Sequence, residues 1–210
     1  MLELSTILAF IPIAFALIVS PGPDSIYTLT RSISDGRTSG ITAALGSSSG
    51  SIVHTTAAVL GLSALLRTSA VAFTVVKFVG AAYLVYLGIQ TFRNSEEFEI
   101  TPERTTYTPS ASYRSALMIN VLNPKVAIFF LTFLPQFVEP GGNVSVQIFL
   151  LGVLFAGLGF VYQAMLAVFS ARARRVITER DLVKTMLRMA SGSVLVGFGV
   201  KLALERRPTT

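Results

Sequence analysis

The sequence predicts an all-α membrane protein: six transmembrane helices, arranged as two inverted three-helix repeats with broken first and fourth helices. Three observations predict it. Of 210 residues, 52% are hydrophobic and 13% charged, about half the charged fraction of an ordinary soluble domain. The apolar residues fall in blocks of about 20 or more, enough to cross a hydrocarbon core of roughly 30 Å. Two of those blocks, the first and the fourth, are interrupted by proline beside an ionisable residue, at Ser20-Pro21-Gly22-Pro23-Asp24 and at Asn123-Pro124-Lys125.

The first segment runs from about Leu4 to Ile33 across its break. Proline removes a backbone donor and clashes with the preceding turn, so the helix must kink or unwind there. In lipid, freed backbone groups are tolerated only where they are buried in protein or line a wet cavity. An acid at such a break, Asp24, therefore marks a candidate site. The turn Ser34 to Ser39 ends the segment.

The second segment, about Gly40 to Leu66, is rich in small residues, and Gly46-Ser47-Ser48-Ser49-Gly50 reads as a face for close helix packing. Arg67-Thr68-Ser69 turns the chain into the third segment, Ala70 to Phe92. The connector 93–114 carries mixed charge, Pro102 and Pro109, and reads as an aqueous loop. The fourth segment spans about Ser115 to Val138 with its break at Asn123-Pro124-Lys125, and Glu139 to Asn143 is a turn. The fifth runs from Val144 to Ser170. After the basic run Arg172 to Arg188, the sixth covers about Met189 to Leu204. The expected organisation is one domain over 1–210, with repeat one at about 1–92, a cytoplasmic connector at 93–114 and repeat two at about 115–205.

Charge sets the expected orientation. The connectors 31–37, 93–114 and 172–188 hold 11 Lys and Arg against 4 on the opposite side, which puts those connectors in the cytoplasm and both termini outside the cytoplasmic (inner) membrane. The net charge of +6 is accounted for by these short basic connectors, so no nucleic-acid partner is expected. There is no cysteine, which removes disulfides, thiolate metal sites and cysteine nucleophiles. The first twenty residues lack the basic start and small-residue cleavage site of a signal peptide, and Glu3 is acidic, so they read as mature structure.

Three crossings per half give the halves opposite orientations, the arrangement in which discontinuous helices meet near the midplane and hold a ligand on their exposed backbone ends. Asp24 and Lys125 are an acid and a base, each beside a break. A charge at the centre of a spanning helix costs about 2.5–3.5 kcal/mol on insertion scales, so each needs a function and a partner. The partners could be each other, in a structural ion pair. A zwitterion also fits: its ammonium would seek Asp24 and free carbonyls, its carboxylate Lys125 and free N–H groups, and Asn123 could bond either end. The substrate-binding candidates are Pro21, Gly22, Pro23, Asp24, Asn123, Pro124 and Lys125. Asp24, His54, Lys77 and Tyr83 are candidates for proton coupling or for lining the cavity. Against them stand a packed histidine for His54, a snorkelling lysine for Lys77 and interfacial anchoring for Tyr27, Tyr83 and Tyr86. Tyr162-Gln163 in segment five is open in the same way. No nucleophile triad, phosphate loop or metal-spaced cluster is present, so no cofactor, metal or enzymatic activity is expected.

These motifs resemble the lysine exporter superfamily, in its homoserine/threonine resistance branch of small amino-acid efflux proteins. The resemblance rests on Ser20 to Asp24, Lys77 to Gly88, Asn120 to Lys125 and Gly192 to Leu204, in the family's order over almost the whole chain. It implies a secondary transporter that exports amino acids of the threonine, homoserine, lysine or leucine type, driven by proton antiport. The family often has asparagine where this chain has Asp24. The expected partners are a small-molecule amino-acid substrate, the proton as coupling ion and the lipid bilayer, with a homodimer left open. The alternatives are an exporter of another small solute, a channel or a membrane-embedded enzyme.

Overall fold

The computed structural model describes residues 2–20, 22–68, 70–93, 107–139, 142–170 and 181–204. These residues are helical almost throughout, with no strand among them. The elements are α1 (Leu4–Val19), α2 (Pro23–Ser34), α3 (Arg37–Thr68), α4 (Ala70–Arg93), α5 (Pro109–Val121), α6 (Pro124–Ile128), α7 (Val144–Val168) and α8 (Asp181–Leu204). A π-helical turn, Phe129–Phe133, and a 3-10 turn, Leu134–Phe137, continue α6.

Both expected breaks divide helices. α1 and α2 meet at 58°, and α5 meets the α6 segment at 50°. Pro23 opens α2 and Pro124 opens α6, where the missing N–H costs nothing and the fixed φ suits a first turn. Among the described residues α7 alone is long and apolar enough to cross a membrane by itself, and each bent pair passes the same test as a unit. Large apolar side chains stand exposed around the molecule, among them Leu8, Leu60, Phe78, Leu122 and Val161, a surface suited to lipid rather than water.

Two boundaries differ from the sequence reading. α5 begins at Pro109, six residues before the expected Ser115, because Thr108 caps it by accepting the Ala111 N–H at 3.3 Å and Pro109 takes the first helical position. α8 begins at Asp181, so Lys184 and Arg188 lie on its first turns and not in a connector; hydropathy marks where a helix enters lipid, not where it starts. The connector charges at 94–106 and the basic run at 172–180 lie outside the described residues.

Arg31 also departs from expectation. Counted in a connector, it is buried in α2, where it donates to Asp35 at 3.0 Å, and its guanidinium stacks 4.3 Å from the Tyr107 ring. The Tyr107 N–H donates to the other Asp35 oxygen at 3.2 Å, fastening the segment that leads into α5 onto the end of α2.

α3 is the hub. It packs chiefly on α5 and α7 and also against α2, while α4 pairs with α8. The close approaches use glycine: a Cβ at Gly46 would collide with the Tyr113 carbonyl of α5, and one at Gly152 with Thr55 of α3. One at Gly199 would stand 2.8 Å from the Ala81 carbonyl, which lets α8 lie on α4. Beyond the second break Phe10, Phe129, Phe130, Phe133, Phe137 and Phe155 form a continuous aromatic core, with neighbouring ring centroids 5.0–6.2 Å apart. Apolar packing thus fills one side of the breaks, and polar groups gather on the other.

Candidate functional site

The two breaks face one cavity of about 40 Å³, with α3 and α7 closing its sides. Leu17, Ile18, Val126 and Phe155 make an apolar wall. Asp24, Ser47, Asn120, Asn123, Lys125 and Gln163 make a polar one. A site for one water takes roughly 10–15 Å³ on this measure, so the space is that of about three waters.

Asp24 is the second residue of α2, where the amino-terminal end of the helix favours negative charge. Three side chains donate to its carboxylate: Ser47 Oγ at 2.8 Å and Asn120 Nδ2 at 3.0 Å to Oδ1, and Asn123 Nδ2 at 2.6 Å to Oδ2. This donor set suits an acceptor-only group. Asn123 has a second task. Its Oδ1 accepts the Lys125 N–H at 3.0 Å and so caps α6, which leaves the amide nitrogen to point at Asp24. One side chain therefore holds the second break open and grips the acid of the first.

Lys125 reaches the other way. Its ammonium donates to the Ser20 carbonyl at 2.9 Å, the backbone oxygen at the carboxyl-terminal end of α1. That end carries unsatisfied carbonyls and the negative pole of the helix, so a cation is stabilised there. The breaks are strapped reciprocally: Asp24 at the first is held by the amides of Asn120 and Asn123 at the second, and Lys125 at the second by the Ser20 carbonyl at the first.

A polar chain supports the carboxylate from behind. Ser47 Oγ accepts from Asn120 Nδ2 at 3.2 Å and from Gln163 Nε2 at 3.0 Å, and Gln163 Oε1 accepts from Thr28 at 2.7 Å. Thr28, Ser47, Asn120 and Gln163 are all buried. The chain ties α2, α3, α5 and α7 to one another around Asp24, and buried networks with their bonds made are rigid.

Of the residues singled out in the sequence, Gly22, Asp24, Asn123 and Lys125 line the cavity. Pro23 and Pro124 shape its edges as helix starts, and Pro21 lies outside the described residues. Gly22 leaves space beside the ammonium: a Cβ there would make ordinary contact, 3.6 Å from Lys125 Nζ. His54 is off the cavity, its Nε2 3.0 Å from the Asn120 carbonyl and its ring stacked on Phe130. Tyr83 packs against Tyr86 and the apolar core on α4, away from the cavity. The Lys77 side chain lies outside the described part of α4. No group of His, Asp and Glu among the described residues is placed to hold a metal ion.

Sequence reasoning missed Asn120, Ser47 and Thr28 as site residues and left Gln163 ambiguous. Asn120 had a signal: it stands three residues before Asn123, one helical turn away on the same side of the break. Ser47 was hidden inside the small-residue run. There Gly46 and Gly50 serve packing, while the serine between them points at the acid.

A family model described as LysE type translocator matches residues 15–206. The chain is similar to the membrane protein YrhP of Bacillus subtilis, 30% identical over 95% of this chain and 99% of that one. It is also similar to a homoserine/homoserine lactone efflux protein of Salmonella typhimurium, 30% identical over 94% of this chain and 96% of the relative. No solved structure matches it significantly.

Proposed function

The chain belongs to the LysE type translocator family, and from that premise we propose that it is a secondary transporter exporting amino acids across the cytoplasmic membrane by proton antiport. It is a membrane protein of a family that moves small solutes, and a relative is named for efflux of homoserine and its lactone. The observation that carries the finer reading is the reciprocal strapping of the breaks: an acid and a base, each held by the opposite half, face one small cavity.

The substrate sites are Pro21 to Asp24 and Asn123 to Lys125, extended by Asn120, Ser47 and Gln163. About three waters' worth of room is less than an amino acid needs, so binding proceeds by exchange of partners. The substrate ammonium replaces the Asn123 amide on Asp24, and its carboxylate takes Lys125 from the Ser20 carbonyl. Each exchange swaps one charge-assisted bond for another of similar strength. It loosens the straps at the same time, which frees the halves to rock about the site.

In this reading one domain of six crossings comprises two inverted repeats, at about 1–92 and 115–205, with α1–α2 and α5–α6 as the broken spans. The connectors 31–37, 93–114 and 172–188 are cytoplasmic and both termini external. When Asp24 takes a proton its hold on the substrate ammonium weakens, which couples release to proton entry.

The test is export from preloaded proteoliposomes across an amino-acid panel, with homoserine lactone included, with and without a pH gradient. Export of at least one zwitterion that accelerates when the outside is acidic is expected. If no zwitterion moves under either condition, the proposal fails.

A further inference from the structure

Pro124 has no N–H, so the Asn120 carbonyl one turn earlier loses its helical donor. In its place the Asn123 N–H stands at 3.0 Å and His54 Nε2 at 3.0 Å, with the Leu122 N–H also directed at this carbonyl. A backbone carbonyl can only accept, so Nε2 carries a proton in this contact. The same imidazole stacks on Phe130, with ring centroids 5.8 Å apart and planes at 29°. Asn120 precedes the break and Phe130 follows it. His54 therefore bridges the break from α3, bonded to one side and stacked on the other. It belongs to a run of α3 residues that turns toward the break: Ser47, Ser51 and His54 are spaced four and three apart, one helical face. Ser47 bonds Asp24, and Ser51 Oγ lies 3.5 Å from Asn120 Oδ1.

We propose that His54 is a positioning residue for the transport site, its Nε2–H replacing the donor that Pro124 removes and so fixing the break from which Asn120 and Asn123 grip Asp24. The role is that of a donor to the Asn120 carbonyl. It rests on the export reading for its functional consequence, though not for the contact itself.

The sequence contains a single histidine, so selective ring ¹⁵N labelling reports one imidazole in the full-length protein in lipid. Nε2 is expected as the protonated, hydrogen-bonded nitrogen. Pro124→Ala restores a backbone N–H that competes for the same carbonyl, and should shift that resonance toward a weaker bond. An unprotonated Nε2, or a resonance indifferent to Pro124→Ala, overturns the inference. In proteoliposomes His54→Phe keeps a ring for Phe130 and removes the donor, and should slow export about tenfold. His54→Gln keeps a donor and should retain most of it. Wild-type export by His54→Phe, or equal losses in both variants, also overturns it. If the wild-type protein moves no amino acid, the export proposal falls, and the labelled spectrum alone decides whether the clamp exists.

Discussion

The bond between Asn123 and Asp24 joins the two breaks directly, and its strength can be measured without knowing the substrate. Asn123 Nδ2 donates to Asp24 Oδ2 at 2.6 Å, and both residues also serve their own helices, Asn123 as the cap of α6 and Asp24 in the first turn of α2. Hydrogen bonds to charged groups contribute about 1.5–3 kcal/mol. Asp24→Ala removes the acceptor shared by Ser47, Asn120 and Asn123, and Asn123→Ala removes one donor and the cap. The cap loss, about 1 kcal/mol, appears in the single and double variants alike and cancels in a double-mutant cycle. The coupling energy should therefore be about 1.5–3 kcal/mol in favour of the wild-type pair. Helical circular dichroism of the purified protein, titrated with a denaturing detergent, measures all four corners. Gln147 provides the control. It bonds the backbone of Glu139 in both directions and shares no partner with Asp24, so Asp24→Ala and Gln147→Ala should add within about 0.5 kcal/mol. A coupling between Asp24 and Asn123 no larger than that of the control would refute the strap.

Two other predictions concern the frame of the site. Gly50→Ala puts a methyl 2.6 Å from Asn120 Oδ1 and 2.7 Å from its Cβ; overpacking of this kind costs about 1–3 kcal/mol, and export should fall with it, whereas Gly61→Ala on the same helix meets nothing within 4 Å and should be neutral or slightly stabilising in the same detergent titration. Arg31→Ala leaves buried Asp35 without its cation, and should lower stability by about 3–5 kcal/mol; Arg31→Lys should recover only part of this, because an ammonium lacks the planar face that stacks on Tyr107, and full stability of Arg31→Ala would contradict the buried pair.

The helices were legible in the sequence where their determinants are local. Apolar blocks and prolines mark the α1–α2 and α5–α6 breaks, and α3, α4 and α7 lie within a few residues of their expected bounds. The starts of α5 and α8 were not, because Thr108, Pro109 and Asp181 sit in polar sequence that hydropathy assigns to connectors. The same blindness put Arg31 among headgroup charges: its burial depends on Tyr107, 76 positions along the chain, which no local window connects to it. In the candidate site the residues at the breaks were visible because proline and charge are rare in apolar segments. Asn120, Ser47 and Thr28 were not, since a buried amide or hydroxyl reads like any packing residue until its partner is known.

The polarity of the half-helices distinguishes the two charges. Asp24 stands at the favourable end of α2 and accepts three bonds from neighbours on α3 and α5 and from the cap of α6. Its position survives loss of charge as long as an oxygen remains to accept. Lys125 stands at the amino-terminal end of its own short helix, where a cation is disfavoured. Its ammonium bonds instead to the carboxyl-terminal carbonyl of α1, across the other break. A movement that separates the two breaks therefore costs Lys125 its bond to Ser20 while leaving Asp24 its Ser47 partner on α3. In the proposed exchange of partners, a substrate carboxylate would restore what Lys125 loses. Under the proposed export, in which the halves rock about the breaks, the base would sense whether the site is filled and the acid would hold the register in which it is filled.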